Sequence, residues 1–91
     1  MVISKQALDL LYKLYRKKCF KKGHISVTNL LKSYRNNDML LYKRALNELK
    51  QLRLIRMFPH GSELHVQMNT DCTKEILQII EDEFNLSEKL L

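Results

Sequence analysis

Apolar and polar positions change their period once along the chain, near Arg53, and that change sets the expected architecture. From Asn36 onward the chain reads NNDMLLYKRALNELKQLRLIRMFPHGSELHVQM. Asn37 or Asp38 supplies a helix-start signal. Met39, Tyr42, Leu46, Leu49 and Leu52 then recur at the three- and four-residue spacing of a helix that buries one face. Beyond them the helical period stops. Leu54, Ile55, Met57 and Phe58 form a short apolar run, Pro59-His60-Gly61-Ser62 reads as a turn, and Leu64, Val66 and Met68 alternate with Glu63, His65 and Gln67. Alternation on the far side of a Pro/Gly turn predicts a hairpin strand. A long helix is therefore expected to run directly into a two-stranded ribbon.

The flanking segments read as partners for that unit. Ser4 is a cap for a first helix through about Lys18, with Ala7, Leu8, Leu11, Leu14 and Tyr15 on one face and Leu10 at its margin. Gly23 stands where such a helix would stop. His24-Ile25-Ser26 is long enough only for a third ribbon edge. Ser26 or Thr28 can cap a second helix carrying Val27, Leu30, Leu31 and Tyr34, which the polar run Arg35-Asn36-Asn37-Asp38 breaks. After the ribbon, Asn69, Thr70 and Asp71 offer caps for a last helix with Ile76, Leu77, Ile80 and Phe84 on one face. Ile79 widens that stripe, Glu75, Glu81, Asp82 and Glu83 cover the opposite side, and Leu86, Leu90 and Leu91 continue the apolar character.

Two short helices joined by a polar turn and followed by a ribbon form a helix-turn-helix with a wing. The segment HISVTNLLKSY, then LLYKRALNELKQLRLIRMF and HGSELHVQM, resembles the winged helix-turn-helix domains of small prokaryotic DNA-binding regulators. The resemblance spans residues 4–69 and centres on Arg44-Ala45-Leu46-Asn47-Glu48-Leu49, followed by Lys50-Gln51-Leu52-Arg53 and Leu54-Ile55. It implies a single α+β, mostly helical domain over residues 1–91. The winged helix would occupy 4–69, and an acidic amphipathic helix and tail 70–91. Two departures stand out. Arg53 occupies the position where the family commonly has glycine, which costs about 1 kcal/mol if the turn needs positive φ. The expected first turn of the third helix, Asp38-Met39-Leu40-Leu41, is acidic and apolar where base readers offer polar side chains.

Composition narrows the function. The 91 residues suffice for one domain, and two glycines and one proline suit a helix-rich chain. No apolar run approaches membrane-span length, and the N-terminus lacks the pattern of a secretory signal. Cys19 and Cys72 show no metal-like spacing and read as reduced thiols, so a cytoplasmic location is expected. Charge is strongly divided. Residues 1–61 hold 14 Lys/Arg against 3 Asp/Glu, or +11, while residues 62–91 hold 2 against 7, or −5, giving the total of +6. A basic body of this kind suits a polyanion, and the acidic end must face elsewhere. His60 and His65 with Cys72 fit no metal-site signature, and no metal or cofactor is expected. Neither a phosphate loop nor a nucleophile motif nor HExxH appears, so no enzymatic activity is expected.

The expected role is a non-enzymatic nucleic-acid-binding protein, a DNA-binding regulator or replication accessory factor that acts by occupying DNA. The cations of Arg16, Lys17, Lys18, Lys21 and Lys22 form one phosphate-contacting patch. Lys43, Arg44, Asn47 and Lys50 form the outward arc of the third helix, and Arg56 and His60 belong to the wing. The competing expectation is a subunit that docks on a larger DNA-processing or transcription enzyme. Tyr34, Leu40, Leu41, Ile79, Phe84, Leu86 and Leu90 would form its protein interface, or the interface of a homodimer joined through the last helix. The Lys-, Asn-, Ile- and Leu-rich composition is common in phages and mobile elements of AT-rich genomes.

Overall fold

The computed structural model describes the backbone of residues 3–90 and the side-chain surroundings of residues 3–83. Its elements run α1 (Lys5–Arg16), β1 (Ile25–Ser26), α2 (Val27–Leu31), α3 (Asn36–Gln51), β2 (Ile55–His60), β3 (Glu63–Met68), a single 3-10 turn (Thr70–Cys72) and α4 (Thr73–Leu90). This is an α+β, mostly helical winged helix, as the change of period predicts.

Ser4 caps α1 as expected, its Oγ accepting the Ala7 N–H at 3.1 Å. A second interaction at this end was not legible from spacing. Glu48 of α3 receives the Ser4 N–H at 3.0 Å and the Ser4 hydroxyl at 2.7 Å, placing a carboxylate at the positive end of the α1 dipole. The buried face of α1 is Ala7, Leu10, Leu11 and Leu14. Leu10 is thus central rather than marginal, and Tyr15, expected on the core face, is 40% exposed. At about 100° per residue, positions 7, 10, 11 and 14 span a narrow arc, and Leu8 and Tyr15 lie to one side of it.

The helix ends at Arg16, earlier than expected, without help from glycine. The Lys18 N–H bonds to the Tyr15 carbonyl and the Cys19 N–H to the Leu14 carbonyl, at 3.1 and 2.9 Å, with Lys18 at φ 57°. This is the Schellman pattern with a lysine in the left-handed position. Gly23 serves another purpose: a Cβ there would stand 2.1 Å from the Lys18 carbonyl oxygen, so the returning chain can pass only as glycine. Ser26 pairs within β1 and caps α2, accepting the Asn29 N–H at 3.1 Å.

Helix α3 starts at Asn36, before the expected Asn37 or Asp38 signal, from Arg35, which makes no side-chain capping bond. Ala45, Leu46 and Leu49 are buried, with Met39 and Tyr42 packed against them. Leu52, expected to close the core stripe, is 37% exposed because it is already the C-cap residue. A second Schellman ending follows. Arg53 N–H bonds to Lys50 and Leu54 N–H to Leu49, both at 3.0 Å, with Arg53 at φ 61°. Arg53 therefore does occupy the left-handed position that favours glycine.

The sheet order is β1-β3-β2, antiparallel throughout, so His24-Ile25-Ser26 supplies the expected third edge. Strand β2 continues through Pro59 and His60, which were expected in the turn. Pro59 is tolerated because β2 is an edge strand. The loop is only Gly61-Ser62, with Gly61 at φ 64° in the first loop position, as a type II′ hairpin requires. Ile55, Val66 and Met68 face the core, while Leu64, beyond its reach, is 47% exposed. In α4, Ile76 and Ile80 are buried and Ile79 is half-buried, but Leu77 points outward at 39% exposure, making the apolar stripe narrower than expected. Phe84, Leu86 and Leu90 lie outside the described side chains. Among the described residues no helix is long and apolar enough to cross a membrane.

Candidate nucleic-acid interface

The candidate cations fall into two groups. The first is on α3. With Leu46 and Leu49 inward, the outward arc carries Asn36, Leu40, Lys43, Arg44, Asn47 and Gln51, with Asn37 and Lys50 at its margins, and all are exposed. The earlier helix start corrects the reading of its first turn, which is Asn36-Asn37-Asp38-Met39: two amides join it and Leu40 and Leu41 fall beyond it, while Asp38 stays in it. Sequence reasoning missed these two amides because it placed the helix start one or two residues late, and it also missed Gln51, the last residue of the helix. Leu40 at 58% and Leu41 at 44% exposure are both outside, with Leu40 in the middle of the polar arc.

Side-chain bonds to α1 fix the orientation of this helix. The Tyr42 hydroxyl donates to Asp9 Oδ2 at 2.9 Å near the middle of α3, and Glu48 grips Ser4 near its end. Partial burial and then that hydrogen bond push the Tyr42 hydroxyl pKa up to about 12. Tyr42 also stacks on Tyr34 at 3.6 Å between ring centroids, and the Lys13 ammonium lies 4.9 Å from the Tyr34 ring. Lys13 donates to the Leu30 carbonyl and to Ser33 Oγ at 2.7 and 2.9 Å, tying α1 to the end of α2. Burial, and then neighbouring Lys17, Arg16 and Lys32, lower its pKa. Tyr34, expected at a protein interface, is thus half-buried in an internal stack, and Ile79 packs against the core. Two of the three carboxylates in the basic part of the chain, Asp9 and Glu48, are bonded internally, while the third, Asp38, is exposed in the first turn of α3.

The second group surrounds the outer face of the sheet. Gln67 of β3 donates to the Gly23 carbonyl at 2.8 Å and to the Lys21 carbonyl, and Met68 N–H bonds to Cys19 at 2.8 Å. These bonds moor the basic turn to β3. Arg56 is the cross-strand partner of Gln67, and His60 that of Glu63, so the turn of Lys21 and Lys22 borders the surface that carries Arg56 and His60. Arg16, Lys17 and Lys18 extend it along the end of α1, with Arg16 lying over the Tyr12 ring at 4.9 Å. Phe58 and all three histidines occupy the same face, a grouping that the sequence spacing did not reveal. Among the described residues no group of three or more His, Cys, Asp or Glu is arranged to hold a metal ion.

Fold and site together define a winged helix whose third helix presents a polar, cationic outer arc. TubR from Bacillus megaterium pBM400 has TM-score 0.69 and 13% identity, over 84% of this chain and 83% of its own. RV1404 from Mycobacterium tuberculosis has TM-score 0.60 and 16% identity, over 98% of this chain and 60% of its own. At such identities the likeness is one of fold. No protein-family model and no curated protein matches the chain.

Proposed function

We propose that the protein is a non-enzymatic, cytoplasmic DNA-binding regulator that acts by occupying duplex DNA through α3. The observation that carries this reading is the α3 outward arc. Asn36, Lys43, Arg44, Asn47 and Gln51 share it; of the two carboxylates on the helix, Glu48 is bound to Ser4 and Asp38 lies off this arc in the first turn. Asn and Gln can pair with adenine edges, Arg and Lys can reach guanine or phosphate, and Leu40 can meet a thymine methyl. Arg16, Lys17, Lys18, Lys21, Lys22, Lys50, Arg56 and His60 would add sequence-independent phosphate contacts. Two copies joined through α4 would place two such helices on one site, with the acidic face of α4 turned away from DNA. The fold shared with TubR and RV1404 supports the reading, and the composition suits a mobile element or phage.

The test is fluorescence-anisotropy titration of the whole protein with random duplex and single-stranded oligonucleotides at two salt concentrations. Submicromolar duplex binding that weakens steeply with salt is expected, together with its loss in Lys43→Glu/Arg44→Glu. Duplex binding that is absent at low salt, or unaffected by the charge reversal, overturns it.

One observation favours a second reading: Leu40 and Leu41 are both exposed. A subunit docking on a larger DNA-processing enzyme would use them. Leu40→Ser/Leu41→Ser would then lose the protein partner while leaving duplex affinity within about twofold. A DNA reader using Leu40 on a thymine methyl would instead lose about 1 kcal/mol at sites with thymine at that position.

A further inference from the structure

His24, His60 and His65 come from three separate places in the sequence and converge on the outer face of the sheet. Their ring centroids are 4.7 Å apart for His24–His60 and 4.8 Å for both His24–His65 and His60–His65. The Nδ1 atoms of His24 and His65 are 2.8 Å apart, so a protonated Nδ1 on one ring donates to a bare Nδ1 on the other. Phe58 packs edge-on against His24 at 5.4 Å and backs the group.

We propose that this triad is a proton-linked site for the phosphates of the nucleic-acid backbone, so that the protein takes up protons as it binds DNA. The inference rests on the DNA-binding reading above and adds a site and a regulation to it. Backbone architecture supplies the first part of the argument. The triad lies next to the hairpin turn of the wing, an element that winged helices lay along phosphates or the minor groove. Charge supplies the second. Arg56 lies on the same sheet face opposite Gln67, which moors the turn of Lys21 and Lys22 just ahead of His24, and Glu63 on β3 is a carboxylate acting on His65.

Free of DNA, such a group resists becoming fully charged. Protonating both Nδ1 atoms of the His24–His65 pair turns two donors toward each other, and each added charge repels those already present. Desolvation, then His60 and His24, accordingly hold the His65 pKa below its ordinary value, with Glu63 opposing. A phosphate at the rings reverses the balance, because it neutralises the added charge and accepts hydrogen bonds from imidazolium donors. Histidine is the side chain whose charge changes in this pH range, so the coupling operates between about pH 5.5 and 7.5. By linkage, each proton taken up tightens binding up to about tenfold per pH unit.

The experiment measures duplex affinity by anisotropy at fixed salt, with a chelator present throughout, at about pH 5.8, 6.5 and 7.5. It compares the wild-type chain with His24→Gln/His65→Gln and with His60→Gln, and circular dichroism at each pH verifies the fold. Wild-type affinity is expected to rise by about tenfold from the highest to the lowest pH, and the double variant to change by no more than about twofold. NMR titration of the wild-type imidazoles, with and without duplex, keeps the test independent of the variants: their pKa values should rise when DNA is bound. A wild-type affinity that does not depend on pH, an equal dependence in the double variant, or histidine pKa values indifferent to DNA overturns the inference. If Lys43→Glu/Arg44→Glu still abolishes binding in those cases, the DNA-binding reading survives; absence of duplex binding at every pH sinks both.

Discussion

The clamp between Glu48 and Ser4 is the contact by which α3 is most directly fixed to α1, and its strength can be worked from the geometry. One carboxylate oxygen receives a backbone N–H at 3.0 Å and the other a hydroxyl at 2.7 Å, in a half-exposed setting at a helix N-terminus. A hydrogen bond to a charged group contributes about 1.5–3 kcal/mol, and water recovers part of that once the partner is gone. The helix dipole adds about 0.3–1 kcal/mol for a carboxylate placed here. Glu48→Ala is therefore expected to destabilise the fold by about 2 kcal/mol, less than the gross sum for two bonds and the dipole because water rehydrates the freed Ser4 groups. In a domain of this size that corresponds to a fall in Tm of about 8–15 °C.

A double-mutant cycle isolates the pairwise part. Ser4→Ala removes the hydroxyl bond to Glu48 and the cap on Ala7, but leaves the backbone N–H of residue 4 able to reach the carboxylate. The coupling energy between the two substitutions should thus be about 1 kcal/mol rather than the full effect of losing Glu48. Thermal and urea unfolding followed by circular dichroism give all four corners. A Tm change below about 2 °C for Glu48→Ala, or strictly additive substitutions, would refute the clamp.

Other predictions concern positions where backbone or titration is constrained. Arg53→Gly should raise stability by about 0.5–1 kcal/mol in urea unfolding, since Arg53 sits at φ 61° and its contacts to Asn69 and Cys72 use only its carbonyl. Gly23→Ala should cost about 2 kcal/mol or more by the same assay, because its Cβ meets the Lys18 carbonyl oxygen, a backbone atom that cannot swing aside. Tyr42 should be the late-titrating tyrosine in an absorbance titration, ionising near pH 12, and Tyr42→Phe should remove that phase. Its folded pKa is raised above the unfolded value, so the folded state keeps a proton that the unfolded chain releases. The Tyr42 contribution to stability is therefore present below about pH 10 and declines as pH climbs from there toward about 12.

Local periodicity made the architecture legible because burial on one face imposes it. The helical spacing of Met39, Tyr42, Leu46 and Leu49, the alternation from Glu63 to Met68 and the Ser4 cap each report a local constraint, and each has its counterpart in the fold. Element ends were less legible. Both α1 and α3 terminate in left-handed lysine or arginine instead of glycine, and α3 starts from an arginine that makes no capping bond. These ends are set by tertiary bonds such as Asn69 to the Arg53 carbonyl and Met68 to Cys19, which no short window of sequence contains.

The same distinction explains what was read of the site. A single helix carries Lys43, Arg44, Asn47 and Lys50, so their common arc followed from spacing alone. The histidine triad depends on the register Phe58↔His65 and Ser26↔His65, which brings a residue before β1 beside residues on β2 and β3. Shifting β3 by one residue would send His65 to the core face and break the triad while leaving every local pattern intact. The wing's chemistry is therefore a property of strand pairing. Changes that shift the register of β3 by one residue should therefore abolish the proposed pH dependence of duplex affinity, measured by anisotropy, while the cations of α3 stay on their common arc.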